Sequence, residues 1–177
     1  GGTVGVAWYD FRSGINVYAQ RLNAAGVRQW PDSGVALCTA GGVSYYGGEP
    51  GPAIVSDGAG GATVAWYDSR SGNPDIYAQR VNAAGATLWG DDGVALCDDT
   101  SGQSSPTIAS DGAGGAIVTW LDSRNSVIDI YAQRVDAAGT PQWTDDGVAL
   151  CTVLGAQYNP MIASDGAGGA IVTWYDY

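Results

Sequence analysis

Two acid-rich turns, each with an arginine between its carboxylates, carry the most chemical-looking pattern in this chain. Asp68-Ser69-Arg70 is followed by Asp75, and Asp122-Ser123-Arg124 by Asp129; a looser version, Asp10-Phe11-Arg12, is followed by Asn16. Pairing the flanking segments across the turn brings the two acids of each set together, and three chemistries use such a pair. Calcium takes hard oxygen ligands, but its loops normally supply more carboxylates at close spacing, so Asp68, Asp75, Asp122 and Asp129 form an incomplete ligand set. A glycosidase uses two carboxylates as acid and base or nucleophile. A planar guanidinium can instead bridge both acids and clamp the turn. That structural reading of Arg70 and Arg124 is preferred.

The rest of the inventory offers little to a catalyst. There is no His and no Lys, and Glu49 is the sole Glu, which removes Ser-His-Asp chemistry, Schiff-base lysines and imidazole metal sites. An active site needs a unique constellation, yet the aspartates outside the loops recur along the chain. The expectation is therefore that the chain is not an enzyme, with no catalytic residue and no cofactor apart from the calcium option. Cys38, Cys97 and Cys151 come without a C-x-x-C pair, so they read as small buried hydrophobes. Arg21, Arg80 and Arg134 each close a Tyr-Ala-Gln-Arg block; repetition in every unit favours an ion pair within the unit or a packed stem over substrate binding. The Ser56 to Gly61 loop resembles a phosphate cradle only superficially, because it joins strand to strand and no helix N-terminus follows.

What must position these residues is a repeat. Ser-Asp-Gly-Ala-Gly-Gly starts at Ser56, Ser110 and Ser164, two steps of 54 residues. Tyr-Ala-Gln-Arg starts at Tyr18, Tyr77 and Tyr131, and Val-Ala-Leu-Cys at Val35, Val94 and Val148. In the central unit the pattern predicts strand A at 106–109, strand B at 116–122, strand C at 129–135 and strand D from about 142 to 151. The turns Asp111 to Gly114 and Asp136 to Gly139 place Asp first and Gly fourth, the preference of a hairpin turn closed in the left-handed region. No segment keeps a 3.6-residue apolar period, so no substantial helix is expected.

A four-stranded meander recurring about every 50 residues is a β-propeller blade. The fold expected is all-β, with about 3.25 four-stranded antiparallel blades. The repeat divides the chain into residues 1–55 (strands B, C and D plus a longer linker), 56–109, 110–163 and a further start at 164–177. Because propellers close with roughly 4 to 8 blades, the chain is expected to be part of a larger ring or to close with another copy.

All seven Trp fall at repeat positions: Trp8, Trp66, Trp120 and Trp174 on strand B, and Trp30, Trp89 and Trp143 after the C–D turn. The strand B rings are expected between neighbouring blades as mortar. A net charge of −11 with no basic stripe repels phosphate backbones, so nucleic acid is not an expected partner. No stretch of 18 apolar residues exists, so membrane insertion by a helix is not expected either. Symmetry breaks at the insert around Tyr45, Tyr46 and Glu49, a candidate ligand or partner loop, since loops carry binding residues.

The string Gly-Gly-Ala-Ile-Val-Thr-Trp-x-Asp-Ser-Arg…Asp-Ile-Tyr-Ala-Gln-Arg-Val resembles repeats of large secreted and surface proteins of bacteria, with Ile-Tyr-Ala-Gln-Arg its most specific part. The resemblance implies an extracellular or cell-surface address and a structural, adhesive or protein-binding module, non-catalytic, meeting protein or glycan. A lectin-like propeller with one sugar site per blade is the alternative; a fragment of a propeller enzyme with its active site elsewhere is another. The chain is also loosely similar to sialidase-type propellers, but their Ser-x-Asp-x-Gly-x-x-Trp spacing is not met.

Overall fold

Runs of Val, Ile, Trp and Tyr broken by Gly-closed turns favour short pleated strands, and the computed structural model is built of them. It describes residues 4–42 and 50–177. The first sheet orders β1 (Val4–Asp10), β2 (Asn16–Leu22) and β3 (Val35–Cys38). The second runs β4 (Ala53–Ser56), β5 (Ala62–Asp68), β6 (Asp75–Val81), β7 (Val94–Cys97). The third runs β8 (Gln103–Ser110), β9 (Ala116–Asp122), β10 (Asp129–Val135), β11 (Val148–Cys151), and the last pairs β12 (Gln157–Ser164) with β13 (Ala170–Asp176). Every pairing between these strands is antiparallel and sequential. The chain is an all-β propeller, with two full blades between a three-stranded and a two-stranded one.

Strands B and C of the central unit fall where the sequence places them. The other two need correction. Strand A begins at Gln103, because a bulge between Ser104 and Thr107 carries the ladder past Pro106. Ser105 absorbs it with a left-handed φ of 52°, the cost of inserting a residue into one side of a ladder. Strand D is regular only from Val148; its expected beginning touches β10 through the isolated Val135–Pro141 bridge, since proline has no N–H to give a ladder.

The blades bury both faces, which is why period-2 alternation looks nearly all apolar in the sequence. Val64 and Trp66 face the first sheet, in a core with Val17, Trp30 and Leu37. Ala65 and Tyr67 face the third, in a core with Val118, Trp120 and Trp89. Trp66 and Trp120 are both 0% exposed, so the strand B rings lie between blades as expected. Trp30 and Trp89 are buried too, whereas Trp8 and Trp174 are half-buried and Trp143 is 37% exposed. Trp8 and Trp143 stand at ends without a neighbouring blade, while Trp174 is on the inward side of β13, whose outward side exposes Ile171 and Tyr175, and β13 pairs only with β12 among the described residues. Among the described residues no helix is long and apolar enough to cross a membrane.

Candidate functional site: the joints and clefts between blades

Register places Asp68 opposite Asp75 and Asp122 opposite Asp129, so each hairpin does bring its two acids together, fully buried. The expected bridge is not formed. Arg70 donates from Nε and Nη2 to Asp68 Oδ2 at 2.9 and 2.5 Å, and its backbone N–H donates to Asp68 Oδ1 at 2.8 Å. Trp66 Nε1 donates to the same carboxylate at 3.3 Å. Asp75 is left to Ser71 and Asn73, and burial pushes its pKa up. Arg124 repeats the arrangement on Asp122 at 2.8 and 2.6 Å, while Asn125 holds Asp129. The guanidinium is a clamp on one acid because its remaining donors turn outward, to the Asp92 carbonyl at 3.1 Å. Its plane also lies over Tyr77, 4.0 Å from the ring centroid. Among the described residues no group of three or more His, Cys, Asp or Glu side chains gathers as a metal would need.

The thiols are more than buried hydrophobes. Cys38 Sγ accepts from Arg70 Nη2 at 2.9 Å and donates to Asp68 at 3.6 Å, across the joint between the first and second blades. Cys97 meets Arg124 and Asp122 in the same way, at 3.1 and 4.0 Å. Burial pushes both thiols up to about 12, against the pull of the neighbouring arginines. Cys151 is half-buried and has no such partner among the described residues.

A second joint recurs on the C–D turns. Trp30 Nε1 and Arg21 Nη1 converge on the Ala83 carbonyl at 3.1 and 3.0 Å; Trp89 Nε1 and Arg80 Nη1 converge on that of Ala137 at 3.2 Å each. Arg80 and Arg134 form the expected ion pairs within their blades, both Nε and Nη2 on Asp57 and Asp111 respectively. For Asp57 and Asp111 burial opposes the charge, but amide N–H donors from the turn and the arginine outweigh it and hold the pKa below the usual carboxylate range. Arg21 differs: its Nε is buried and has no partner among the described residues.

Between blades the surface opens into two clefts of about 350 and 300 Å³. Their linings match position for position: Cys38, Thr39, Gln79, Asp91 and Asp92 in one, Cys97, Asp98, Gln133, Asp145 and Asp146 in the other. Asp92 and Asp146 sit at left-handed φ of 61° and 58°. That conformation is uncommon for a residue with a Cβ, and here it aims a carboxylate back across the joint. Asp92 accepts from Thr39 N at 2.5 Å and Asp146 from Asp98 N at 3.0 Å. The reading of the sequence passed over these acids. Their signal was the Asp-Asp-Gly before Val-Ala-Leu-Cys at Asp91 and Asp145, a repeated charge pair on a turn.

The aromatic basis of a lectin site is overturned. Tyr67 and Tyr77 are buried with Trp66 and Trp120, and no cleft above is lined by a ring. Tyr45, Tyr46 and Glu49 lie outside the described residues.

No protein-family model matches this sequence, and no curated protein matches it. Among solved structures it is similar to an α-L-arabinanase of Penicillium chrysogenum in complex with arabinobiose. The two share 12% identity and a TM-score of 0.52 over 97% of this chain. The chain spans 53% of the length of that one. The class is thus the β-propeller, and at this identity the likeness extends to fold alone. It nonetheless corrects one expectation. The sequence reads as that of a non-enzyme, but the propeller it is similar to is an enzyme, an arabinanase at 12% identity, so the expectation that the chain is not an enzyme does not stand.

Proposed function

We propose that this chain is a glycan-binding propeller module whose sugar sites are the clefts at the blade joints. The observation that carries the reading is the duplicated cleft: two polar hollows of sugar size, with Asp91 and Asp145 exposed beside Asp92 and Asp146. Carboxylate pairs accept hydrogen bonds from vicinal hydroxyls, while the buried amides of Gln79 and Gln133 brace the same linings by donating to the Gly90 and Thr144 carbonyls. Sugar contact by edges then replaces the stacking once expected. The propeller enzyme it resembles was solved with arabinobiose, which supports carbohydrate as the ligand class. The extracellular address belongs to this reading; its support is the resemblance of the repeats.

Calorimetric titration with arabino-, xylo- and gluco-oligosaccharides tests it, with release of reducing ends followed in the same samples. Expected is saturable binding at two sites per chain, lost in Asp91→Ala/Asp145→Ala with the fold kept. No binding of any of these sugars at about 10 mM (weaker than about 3 kcal/mol) sinks the reading.

A further inference from the structure

The joints are counted in halves, and the halves left over match. Each joint has a donor side on one blade and a receiving side on the next. Trp30 is filled by the turn of Ala83, and Trp89 by that of Ala137. Their rings also lie against Gly85 and Gly139, where an added Cβ would stand 3.0 and 2.7 Å from the indole. Trp143 at one end is exposed, and its Nε1 has no acceptor among the described residues, while the Asn23 to Gly26 turn at the other end has open space at Gly26. The ion pairs leave a remainder as well. Among the described residues Arg21 Nε is buried and unpaired, and Asp165 accepts from its own turn alone, at Ala167 N and Gly169 N. In the two filled cases an acid of this turn takes both Nε and Nη2 of such an arginine. The thiol latch leaves Cys151 at one end and the Asp10–Arg12 pair, 2.7 Å apart, at the other.

We infer that the 177-residue segment, taken by itself, associates head to tail with a second copy, the last sheet of each docking on the first sheet of the other. In each joint Asp165 takes Arg21, Trp143 and Arg134 receive the Ala24 carbonyl, and Cys151 meets Arg12. β12 then lies along the free edge of β1. The exposed Val4 and Val6 become covered, as their counterparts Ala62 and Val64 are covered in the second blade. β1 and β13 occupy the same place and end in the same Trp-Tyr-Asp, so one of them yields. Thirteen strands among the described residues less one duplicate make three blades per copy, and two copies make a six-bladed ring, within the roughly 4 to 8 that close. A heterologous contact of this kind gives a ring when its rotation closes and an open filament when it does not, so a dimer, and no higher species, is the expected product.

Sedimentation of the 177-residue chain tests this. Expected is a concentration-dependent shift from 18.1 kDa to twice that mass. Arg21→Glu sets two acids against each other; Asp165→Asn keeps the turn but removes the charge. Each alone is expected to weaken association at least about tenfold. Mixing the two variants restores it, because one joint regains Asp165 with Arg21 and the other pairs the new Glu with the new Asn. Circular dichroism of the dilute monomers checks that the fold is kept, and Arg21→Met replaces Arg21→Glu if it is not. A chain that stays at 18.1 kDa to millimolar concentration overturns the inference, as does association that neither variant changes, or a mixture no stronger than its parts.

Discussion

Trp120→Ala removes a fully buried indole from the joint between the second and third blades. The ring is 0% exposed and packs with Tyr67, Ile76 and Trp89 of one sheet and Val118 and Tyr131 of the other. An indole buries about 150–250 Å², which at about 25 cal/mol/Å² is some 4–6 kcal/mol gross and an upper bound, because the unfolded chain already hides part of it. Truncations of this kind cost about 3–5 kcal/mol once the cavity is counted. Trp120 Nε1 also donates to the buried Asp122 carboxylate at 2.9 Å. That hydrogen bond adds about 1 kcal/mol, partly offset because Arg124 still neutralises the acid. The expected loss is thus about 3–5 kcal/mol, a large share of the 5–15 kcal/mol typical of a folded domain. Urea denaturation at pH 7 reads it directly. The exposed Trp143 supplies the internal control, and Trp143→Ala is expected to cost less than half as much in dilute monomer. A loss under about 1 kcal/mol for Trp120→Ala, or equal losses for the two, refutes the inter-blade packing.

Three further outcomes follow from the same joints. With Cys38 and Cys97 raised to about 12, each carries at pH 8 roughly a thousandth of the thiolate of an ordinary thiol. A thiol reagent should therefore titrate Cys151 quickly and the other two only on unfolding; three equal rates would contradict the burial. The folded pKa of Asp111 is lowered, so its contribution is complete above the unfolded value near 4 and disappears as pH falls through the folded one. Asp111→Asn is expected to cost roughly 1–3 kcal/mol at pH 7 and to flatten the acid limb of the melting-temperature profile. Asp75 has the opposite sign: its raised pKa makes the charge a cost above the folded value, relieved as pH drops. Asp75→Asn should be neutral or stabilising at pH 7 by calorimetry, the difference closing below about pH 4; a large loss at pH 7 would reverse the assignment.

Much of the fold was legible because each turn repeats its own chemistry. Ser-Asp-Gly-Ala-Gly-Gly marks the A–B hairpin, with the Asp111 carboxylate accepting from Ala113 and Gly115 N–H, and the 54-residue step put strands B and C at their observed bounds. Strand A was misread because a bulge obeys the ladder, and the ladder's partner is not written locally. The same blindness hid the joints. Arg70 was read against Asp75, five residues away, but its outward donors reach Asp92 and its sulfur contact is Cys38, 32 residues back. Spacing within a hairpin predicts who stands opposite whom; it does not predict which blade lies across. Asp91 and Asp145 were passed over for that reason, since a carboxylate pair on a turn looks solvated until the next blade walls one side of it.

Where the cations stand decides what this surface can hold. Of the seven arginines, which are all the chain has for basic side chains, six are paired with an aspartate: Arg12, Arg28, Arg70, Arg80, Arg124 and Arg134. Among the described residues Arg21 is the exception, and it lines a cavity of about 170 Å³ with Gly60 and Ser56. Positive charge is thereby confined to hairpins and joints, and the remaining acids give the outside a field of one sign. Such a field repels anionic ligands at long range, by an amount salt would reduce. A ligand of the clefts beside Asp91 and Asp145 is then neutral or cationic. Neutral sugars meet that condition and uronic acids do not, so binding of an acidic oligosaccharide in preference to its neutral counterpart at low ionic strength would count against the clefts as the sites.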